Sequence, residues 1–526
     1  MNSSREIILQ NRVSVDITID PLSRKRYVEL KPPSLQDNQA DVDRLLSALR
    51  DCCPGLHMPL NLMNKTSEVL RSADWRVTAT LACFGDYWSV IDVEPGDKTG
   101  HHYGLAIDLG TTTVVGYLVD LTTGNIKLAA ADYNGQAQYG DDILTRIYLA
   151  GTPEGRAQMR EAAVATLNKI IARLAKGGDI GQTDISAVAV GANTTMIHLL
   201  LGLDPSHICM APYIPVVNRP GYIRAGDIGL RVNPEAPLYA LPGVGSYVGG
   251  DVVGGILASG LYKKPELALF VDIGTNGEMV LGNNEWLVAC AGAAGPALEG
   301  GVARCGMRAE MGAVYQVRID RRTGKVTYRT IADEKPAGIC GSGLVDCLAE
   351  LLLAGIIDRA GKFKGDKSEF IVVPACESAT GRDITFTQAD INNIMRTKGA
   401  INAALEYLLE SVGCRMEDIE TFYAAGAFGQ HLDLESAVTV GLYPDLPRGK
   451  MIRLGNSSGE GARLALVSGQ ARHEAEEISR SITYFELNAS EAFMNKFVGS
   501  KFLPHTNLDY YPTVKEKLKK RRLNAQ

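Results

Sequence analysis

The sequence predicts an α/β protein with a duplicated lobe, preceded by a small α+β domain. Three observations lead to this prediction: the chain has 526 residues, 45% of them are apolar, and one strand-and-turn pattern occurs twice. The length suffices for two to four domains, and the apolar fraction suffices for sizeable cores. Two copies that lie far apart in the chain indicate a duplicated lobe and not a solenoid, whose repeats are short and contiguous.

Composition disfavours several classes of protein. The chain has 54 basic and 60 acidic residues, and its net charge of −6 disfavours a general nucleic-acid binder. The sequence has no continuous stretch of about 20 large apolar residues, so it predicts no membrane span. The N-terminus lacks the apolar core of a signal peptide, so we expect a cytoplasmic protein. Ten scattered cysteines without a CxxC pattern indicate reduced thiols, and we expect no iron–sulfur cluster in this chain.

Residues 1–97 predict the small α+β domain. A helical pattern spans residues 34–50 with Ser34 as its candidate N-cap, and apolar patterns predict three strands, over residues 26–30, 77–81 and 87–93. Residues 94–100 are polar and turn-forming, which predicts a linker, and its bounds are placed at residues 98–103. His101 and His102 are interpreted as linker histidines, because no third ligand stands at metal-binding spacing.

The repeated pattern begins directly after this linker. Residues 103–113 read as a buried strand that ends in an aspartate, a glycine and three threonines. Residues 267–277 repeat this order, so Asp272 takes the position of Asp108. The repeat predicts two lobes, and we expect the C-terminal segment to return to the first of them; the predicted bounds are 104–265 and 266–526.

Each copy has the residue types of a phosphate-binding hairpin. A glycine lets the backbone turn tightly and brings N–H groups close to an anion, and threonine hydroxyls add uncharged donors. A carboxylate at the end of the strand can hold a hydrated Mg²⁺ ion. An ordinary β-turn also explains a single copy, but two matched copies favour a pair of hairpins that bind a polyphosphate.

Other polar residues have two explanations each. Asn193 and Thr194 follow a predicted strand, where they could contact phosphate and position water, or could cap a helix. Lys398 lies on a predicted helix over residues 388–409, where its charge is either close to a nucleotide or solvated on the surface. Residues 139–142 open a further helix, which Asp141 or Asp142 could simply cap.

Three glycine-rich segments suggest close approach of the backbone to a ligand. Residues 340–343 precede an apolar helix, and a helix start of this kind can approach adenosine or phosphate, or can be a plain cap. Residues 422–429 read as a strand that enters a tight turn at Gly426. Residues 290–301 are almost all small, which suits a close approach to a nucleotide or to a partner's cofactor, or a flexible loop.

These segments together resemble a known family. Two such hairpins mark the ATPase superfamily of acetate and sugar kinases, heat-shock chaperones and actin. Within this superfamily, the chain resembles the ATP-dependent reductive activators of corrinoid enzymes. The segments that carry the resemblance are residues 32–35 with 41–46, 104–113, 139–142 with 146–147, 191–196, 272–278, 294–297 with 299–300, and 341–343.

The resemblance implies a duplicated, two-lobed actin-like ATPase with ATP and Mg²⁺ between its lobes. It implies an ATP-hydrolysing activator that promotes reduction of inactive Co(II) corrinoid proteins to Co(I) in methyl-transfer systems. Residues 1–97 resemble the family's middle domain. The cysteines of its ferredoxin-like domain are absent, so the electrons would come from a separate or missing iron–sulfur domain. The implied partners are a corrinoid protein, an electron donor such as a ferredoxin, and a second copy in a homodimer.

The resemblance also assigns roles to individual residues. Asp108 and Asp272 would orient Mg²⁺ and its waters, and Glu278 is the candidate for polarising the attacking water. The expected nucleotide-binding residues are Gly110, Thr111, Thr112, Thr113, Asn193, Thr194, Gly274, Thr275, Asn276, Gly277, Gly341, Ser342, Gly343, Lys398 and Gly426.

Two other functions remain open on the same predicted fold. A small-molecule kinase would need an aspartate that acts as base toward a hydroxyl, and Asp251 could serve. A chaperone-like ATPase without a redox role would need no electron donor, which agrees with the missing cluster cysteines.

Overall fold

The computed structural model describes residues 17–51, 53, 55–140, 142–274, 277–292, 295, 298, 301, 303–487 and 490–523. Its strands are β1 (Ser23–Glu29), β2 (Arg76–Cys83), β3 (Trp88–Pro95), β4 (Tyr103–Leu109), β5 (Thr113–Asp120), β6 (Ile126–Tyr133), β7 (Ile185–Ala192), β8 (Tyr222–Arg224), β9 (Pro237–Ala240), β10 (Ala268–Ile273), β11 (Gly277–Gly282), β12 (Leu287–Gly292), β13 (Ala313–Ile319), β14 (Val326–Thr330), β15 (Gly338–Ile339), β16 (Glu369–Val373), β17 (Ile384–Thr387), β18 (Thr421–Ala425), β19 (Met451–Gly455) and β20 (Ile482–Tyr484).

Its helices are α1 (Asp41–Leu49), α2 (Leu60–Ser72), α3 (Ile143–Ala150), α4 (Pro153–Gly178), α5 (Thr194–Leu201), α6 (Ala225–Ile228), α7 (Gly250–Ser259), α8 (Gly341–Ala354), α9 (Gln388–Ser411), α10 (Gly426–His431), α11 (Leu434–Val440), α12 (Ser457–Val467), α13 (Gly469–Ser481), α14 (Glu491–Ser500) and α15 (Pro512–Leu523). The chain divides into two compact units. Unit I consists of Ser14–Ala258 and Ser457–Ser481, and unit II consists of Ser259–Asn456 and Ile482–Gln526.

Each unit contains a six-stranded mixed sheet, and five strands of each sheet share one topology; the sixth strand, β8 or β20, joins a different edge. The strand order is β6-β5-β4-β7-β9-β8 in unit I and β19-β18-β10-β11-β12-β20 in unit II. The first strand of the repeat, β4 or β10, pairs antiparallel with the next strand and parallel with a much later one, β7 or β18. A third strand, β6 or β12, pairs antiparallel with the second strand of the repeat. A further strand, β9 or β19, pairs parallel with β7 or β18. This duplication confirms the predicted fold class.

The two strands that begin the repeat are buried in the middle of their sheets. Leu105 and Ile107 of β4 and Leu269 of β10 are inaccessible to solvent. Strands that helices cover on both faces are apolar at every position, which explains these continuous apolar runs. In each strand the aspartate, Asp108 or Asp272, is the one residue that is not fully buried. The core therefore fixes both carboxylates at the ends of rigid strands.

The small N-terminal domain has a three-stranded antiparallel sheet, β1-β2-β3, and the helices α1 and α2. The predicted helix over residues 34–50 is too long, because α1 begins only at Asp41. The Ser34 hydroxyl accepts from the N–H of Asp37 at 3.1 Å in a local turn, and Leu35 is 98% exposed. Arg44 donates to the carboxylate and carbonyl of Asp37, which holds this stretch outside the helix.

His102 is not the exposed linker residue that the sequence suggested. Its side chain is buried in unit I, where Nε2 lies 3.0 Å from the hydroxyl of Ser23, which in turn lies 2.8 Å from the hydroxyl of Ser186. Burial lowers the pKa of this imidazole to about 3, and the nearby Lys25 contributes to the shift. The ring is therefore neutral in the folded protein at neutral pH.

We expect the protein to lose stability as the pH falls below about 6.5, because His102 then gains a proton in the unfolded chain but not in the folded one. From this residue alone, the free energy of unfolding should fall by about 1 kcal/mol per pH unit as the pH is lowered toward its folded pKa of about 3. Denaturation in urea at pH 5 and pH 7 measures the effect. His102→Gln should reduce the pH dependence, and His101→Gln, at an exposed position, should not. Equal pH dependence in both variants would contradict this account.

Candidate functional site

The first hairpin of the repeat places Asp108 directly before a tight turn. Asp108 is paired with Val115 across β4 and β5, and the N–H of Gly110 donates to the carbonyl of Thr113 at 3.1 Å. A Cβ atom on Gly110 would lie 2.5 Å from this carbonyl oxygen, so only glycine fits. The turn is therefore a compact loop of backbone at the end of a buried strand.

Asn193 joins this turn to the neighbouring parallel strand. It follows β7, in which Gly191 is the register partner of Asp108. Its Oδ1 accepts from the N–H of Met196 at 2.9 Å and caps α5, and its Nδ2 donates to the hydroxyl of Thr111 at 3.1 Å. The predicted capping role is thus confirmed, and the same side chain also contacts the hairpin. The hydroxyl of Thr194 donates to the carbonyl of Gly245 at 2.6 Å.

Asp251 brings a second carboxylate to this part of unit I. It lies in the first turn of α7 and is half-buried. Burial raises the pKa of this carboxyl, and the charge of Asp108 raises it further. A Cβ atom on Gly249 would lie 2.6 Å from the Cα of Asn193, so the glycine before α7 allows this close approach. Asp251 was predicted only as the base of a kinase. Two glycines before an aspartate at the start of a helix were the sequence signal that could have indicated a broader role.

The second hairpin also has two carboxylates. Asp272 of β10 and Glu278 of β11 are direct partners in the antiparallel pair, so their side chains lie on the same face of the sheet. Gly277 pairs with Ile273 next to the turn. Among the described residues, no atom lies within 4 Å of the place that a Cβ atom on Gly274 would take, and Thr275 and Asn276 lie outside these residues.

Gly426 lies against the carboxylate of Asp272. It begins α10 directly after Ala425, the register partner of Asp272 in the parallel strand β18. Its φ is +79°, and a Cβ atom there would lie 2.5 Å from Oδ1 of Asp272. Burial raises the pKa of the nearby Tyr443 hydroxyl, with a contribution from Asp272. The structure therefore brings together two residues that the sequence analysis assigned to one nucleotide site.

Gly341 and Gly343 have an explanation in packing. A Cβ atom on Gly341 would lie 1.7 Å from the carbonyl oxygen of Leu298, and one on Gly343 would lie 2.2 Å from that of Val314. The Ser342 hydroxyl lies 3.4 Å from the thiol of Cys340. The glycines let the start of α8 pack directly against neighbouring backbone in unit II.

Lys398 holds the C-terminal part of unit II. Its ammonium group is completely buried and donates to three backbone carbonyls, those of Phe502 at 2.7 Å, Ser500 and Pro504. Burial lowers the pKa of this amine well below its usual value, and Arg359 adds to the effect. These contacts give Lys398 a structural role, which short-range sequence patterns could not show.

We expect Lys398→Met to destabilise unit II by about 3 kcal/mol, because three buried carbonyls lose their donor. Urea denaturation gives the free energy of unfolding, and limited proteolysis should show faster cleavage within residues 500–506. Arg396→Met, at an exposed position two residues earlier on α9, is the matched control and should change stability by less than about 0.5 kcal/mol. Equal effects of the two substitutions would refute the proposed role.

The described residues offer no metal-binding cluster, no low-pKa thiol among Cys290 and Cys347, and no membrane-spanning helix. Within the described ranges no group of three or more His, Cys, Asp or Glu side chains is arranged to hold a metal ion. Burial raises the pKa of the thiols of Cys290 and Cys347, which disfavours the thiolate that binds iron. No helix in the described part of the chain has the length and apolar character needed to cross a bilayer.

Comparison with protein families gives three adjoining matches. Residues 13–100 match the RACo linker region, residues 103–264 match the RACo middle region, and residues 266–515 match the C-terminal domain of RACo, the ASKHA domain. The small N-terminal domain thus corresponds to the region that the family calls the linker, whereas the sequence analysis expected the family's middle domain there.

Individual relatives support the same assignment. The corrinoid activation enzyme RamQ of Eubacterium limosum is 34% identical over 78% of this chain and 72% of its own length. The [Co(II) methylated amine-specific corrinoid protein] reductase of Methanosarcina barkeri is 26% identical over 75% of this chain and 76% of its own. The solved structure of a reductive activator for corrinoid, iron-sulfur protein is 40% identical, with a TM-score of 0.87 over 95% of this chain and 82% of that chain. The chain belongs to the RACo family.

Proposed function

We propose that this chain is an ATP-hydrolysing activator that promotes the reduction of corrinoid proteins from Co(II) to Co(I). The observation that carries the proposal is the match to the reductive activator over 95% of this chain at 40% identity. Two further relatives are named for corrinoid activation and for reduction of a Co(II) corrinoid protein. The single electron would come from a separate iron–sulfur protein such as a ferredoxin, and the chain would act in the cytoplasm as a homodimer.

The residues of the two hairpins fit ATP with Mg²⁺. Mg²⁺ prefers oxygen ligands and commonly keeps several waters beside one or two carboxylates and the substrate phosphates. Asp108 in unit I and Asp272 in unit II, each at the end of a buried strand, are each suited to contact Mg²⁺ through its waters. The bound ion would neutralise phosphate charge during hydrolysis. The turn of residues 110–113 would offer backbone N–H groups to the phosphates. We propose that residues 274–277 contact the phosphates too, although Thr275 and Asn276 lie outside the described residues.

Asp251 is our candidate for the group that accepts a proton from the attacking water, in addition to Glu278. A general base works best when its pKa is close to the working pH, and burial together with Asp108 raises the pKa of Asp251 toward that range. Water would attack the terminal phosphorus, its proton would pass to the carboxylate, and ADP would leave. Asn193 would hold the neighbouring turn through Thr111.

We expect Asp251→Asn to slow ATP hydrolysis by about 100-fold or more, because general base catalysis commonly contributes this much. ATP affinity should change by less than about threefold, since this residue is not expected to hold phosphate. The wild-type rate should rise with pH as Asp251 loses its proton, and this rise should disappear in the variant. Asp227→Asn, at an exposed position in unit I, is the control. Near-normal turnover in Asp251→Asn would exclude it as the base.

ATP can drive the activation only through two states of the complex that differ in affinity. To move a population from 1:99 to 99:1, the favoured state must be stabilised by about 5.5 kcal/mol. An activator that bound all cobalt states equally would shift no equilibrium. Preferential binding of the Co(II) form alone would oppose reduction, so ATP hydrolysis must supply the free energy that changes the affinity. We therefore expect tight binding of the Co(II) protein before hydrolysis and much weaker binding of the Co(I) or methylated protein after it.

Titration of this chain against a corrinoid protein in each cobalt state tests the proposed function. Stronger binding of the Co(II) form supports it, and equal affinity for all states would contradict it. Incubation with ATP and small hydroxy compounds distinguishes the kinase alternative from the proposed function, because a kinase yields a phosphorylated product.

The small-residue segment 290–301 was expected to approach the cofactor. Cys290 belongs to β12, and most of the later residues of the segment lie outside the described ones.

A further inference from the structure

The turn of the first hairpin is held from behind by two buried side chains. Nδ2 of Asn134 donates to the carbonyl of Gly110 at 2.9 Å, and Nη1 of Arg146 donates to the carbonyl of Thr111 at 2.7 Å. The backbone N–H of Asn134 donates to the carbonyl of Thr112 at 2.8 Å. Three consecutive carbonyl groups of the turn are thus occupied by donors from residues outside the hairpin.

This arrangement determines where the N–H groups of the turn point. In a trans peptide the carbonyl of one residue and the N–H of the next point in opposite directions. Carbonyls that face Asn134 and Arg146 therefore direct the N–H groups of the following residues, including Thr111 and Thr112, away from them. Successive N–H groups that point to one side form an anion-binding concavity.

The supporting residues are themselves fixed. The side chains of Arg146 and Asn134 are each 1% exposed. Nε of Arg146 also donates to the carbonyl of Gly140 at 2.8 Å, which ties the guanidinium to the segment before α3. Asn134 exchanges hydrogen bonds with Gln136, whose Nε2 donates to the carbonyl of Met159 on α4 at 2.9 Å. The two donors thus reach the turn from a rigid, buried framework.

We infer that Arg146 is a positioning residue for the nucleotide phosphates. It holds the turn so that the N–H groups face the phosphates, and its buried positive charge lies behind the anion. The fork of the guanidinium is required, because one side chain must reach the carbonyls of both Gly140 and Thr111. This inference rests on the proposed function, since it takes ATP as the ligand of the hairpin.

Arg156 provides a matched control on the next helix. Its Nη1 also donates to two backbone carbonyls, those of Ala150 and Gly151, each at 3.2 Å. These carbonyls belong to the end of α3 and not to the hairpin. Arg156→Met therefore removes a comparable pair of hydrogen bonds without changing the support of the turn.

The test compares the binding of ATP and of adenosine by calorimetry. In Arg146→Met we expect ATP affinity to fall about tenfold or more, because hydrogen bonds from charged groups are worth at least this factor. Adenosine has no phosphate, so its affinity should stay within about twofold. Arg156→Met should bind both ligands like the wild type. Arg146→Lys keeps the charge and loses the fork, and we expect an intermediate loss of ATP affinity.

The outcomes separate this inference from the proposed function. If the wild type bound no ATP, the proposed function would fail. If the wild type bound ATP and both Arg146 variants bound it equally well, only the role of Arg146 would fail. An equal loss of ATP and adenosine affinity would show that Arg146 only supports the fold, and this result would overturn the inference. If Arg146→Met did not fold, Arg146→Lys alone would decide between these outcomes.

Discussion

Asp108→Ala and Asp272→Ala are each expected to abolish most Mg²⁺-dependent ATP hydrolysis while the fold survives. Each aspartate is the half-exposed residue at the end of an otherwise buried strand, so its removal leaves the apolar core in place. Loss of a group that stabilises charge in the transition state commonly costs about 3 kcal/mol or more, which is at least a 100-fold loss of rate. Phosphate release at saturating ATP measures the effect.

The two substitutions should give similar losses, because the residues occupy equivalent positions in the part of the topology that the two sheets share. Thermal melting should show that both variants are folded. Asp227→Ala, an exposed aspartate of unit I, is the control and should retain wild-type turnover. Near-normal turnover in either folded variant of Asp108 or Asp272 would remove the hypothesis of two phosphate-binding hairpins.

Gly426→Ala should also slow ATP hydrolysis, although it adds only one methyl group. The new Cβ atom would lie 2.5 Å from Oδ1 of Asp272 and would displace this carboxylate. We expect at least a tenfold loss of ATP hydrolysis at limiting Mg²⁺, with partial recovery at high Mg²⁺. Steady-state rates over a series of Mg²⁺ concentrations measure it.

Gly413→Ala separates this collision from backbone strain. Gly413 also has a positive φ, +70°, but a Cβ atom there would have no neighbour within 4 Å in the described part of the chain. Both variants should therefore lose about 1 kcal/mol of stability from strain. Only Gly426→Ala should lose activity, and an equal loss in the two variants would show that strain alone is responsible.

The features that sequence analysis predicted well are local ones. Both hairpins were found because a buried strand, an aspartate and a small-residue turn follow each other within about ten residues in each copy. Helix α9 was predicted at residues 388–409 and observed at Gln388–Ser411, since its capping box and apolar periodicity lie within the helix. The duplicated topology then follows from the repeat.

The features that it missed depend on contacts between distant parts of the chain. Burial raises the pKa of Asp251, and Asp108, far earlier in the chain, raises it further. Lys398 donates to carbonyls more than 100 positions later. His102 is buried against Ser23 and not exposed in a linker. The helix predicted to begin at Ser34 was wrong because Arg44 binds the preceding loop, which a periodicity argument does not detect.

The most direct test of the proposed activation is ATP-dependent formation of Co(I). In the absence of oxygen, a corrinoid protein in the Co(II) state is mixed with this chain, Mg²⁺ and a one-electron donor. The absorbance of the cobalt centre is then followed over time. We predict that Co(I) forms with ATP, and that it does not form with ADP, without nucleotide, or with Asp108→Ala. Formation of Co(I) at the same rate without ATP, or with Asp108→Ala in place of the wild type, would contradict the proposal that ATP hydrolysis by this chain drives the reduction.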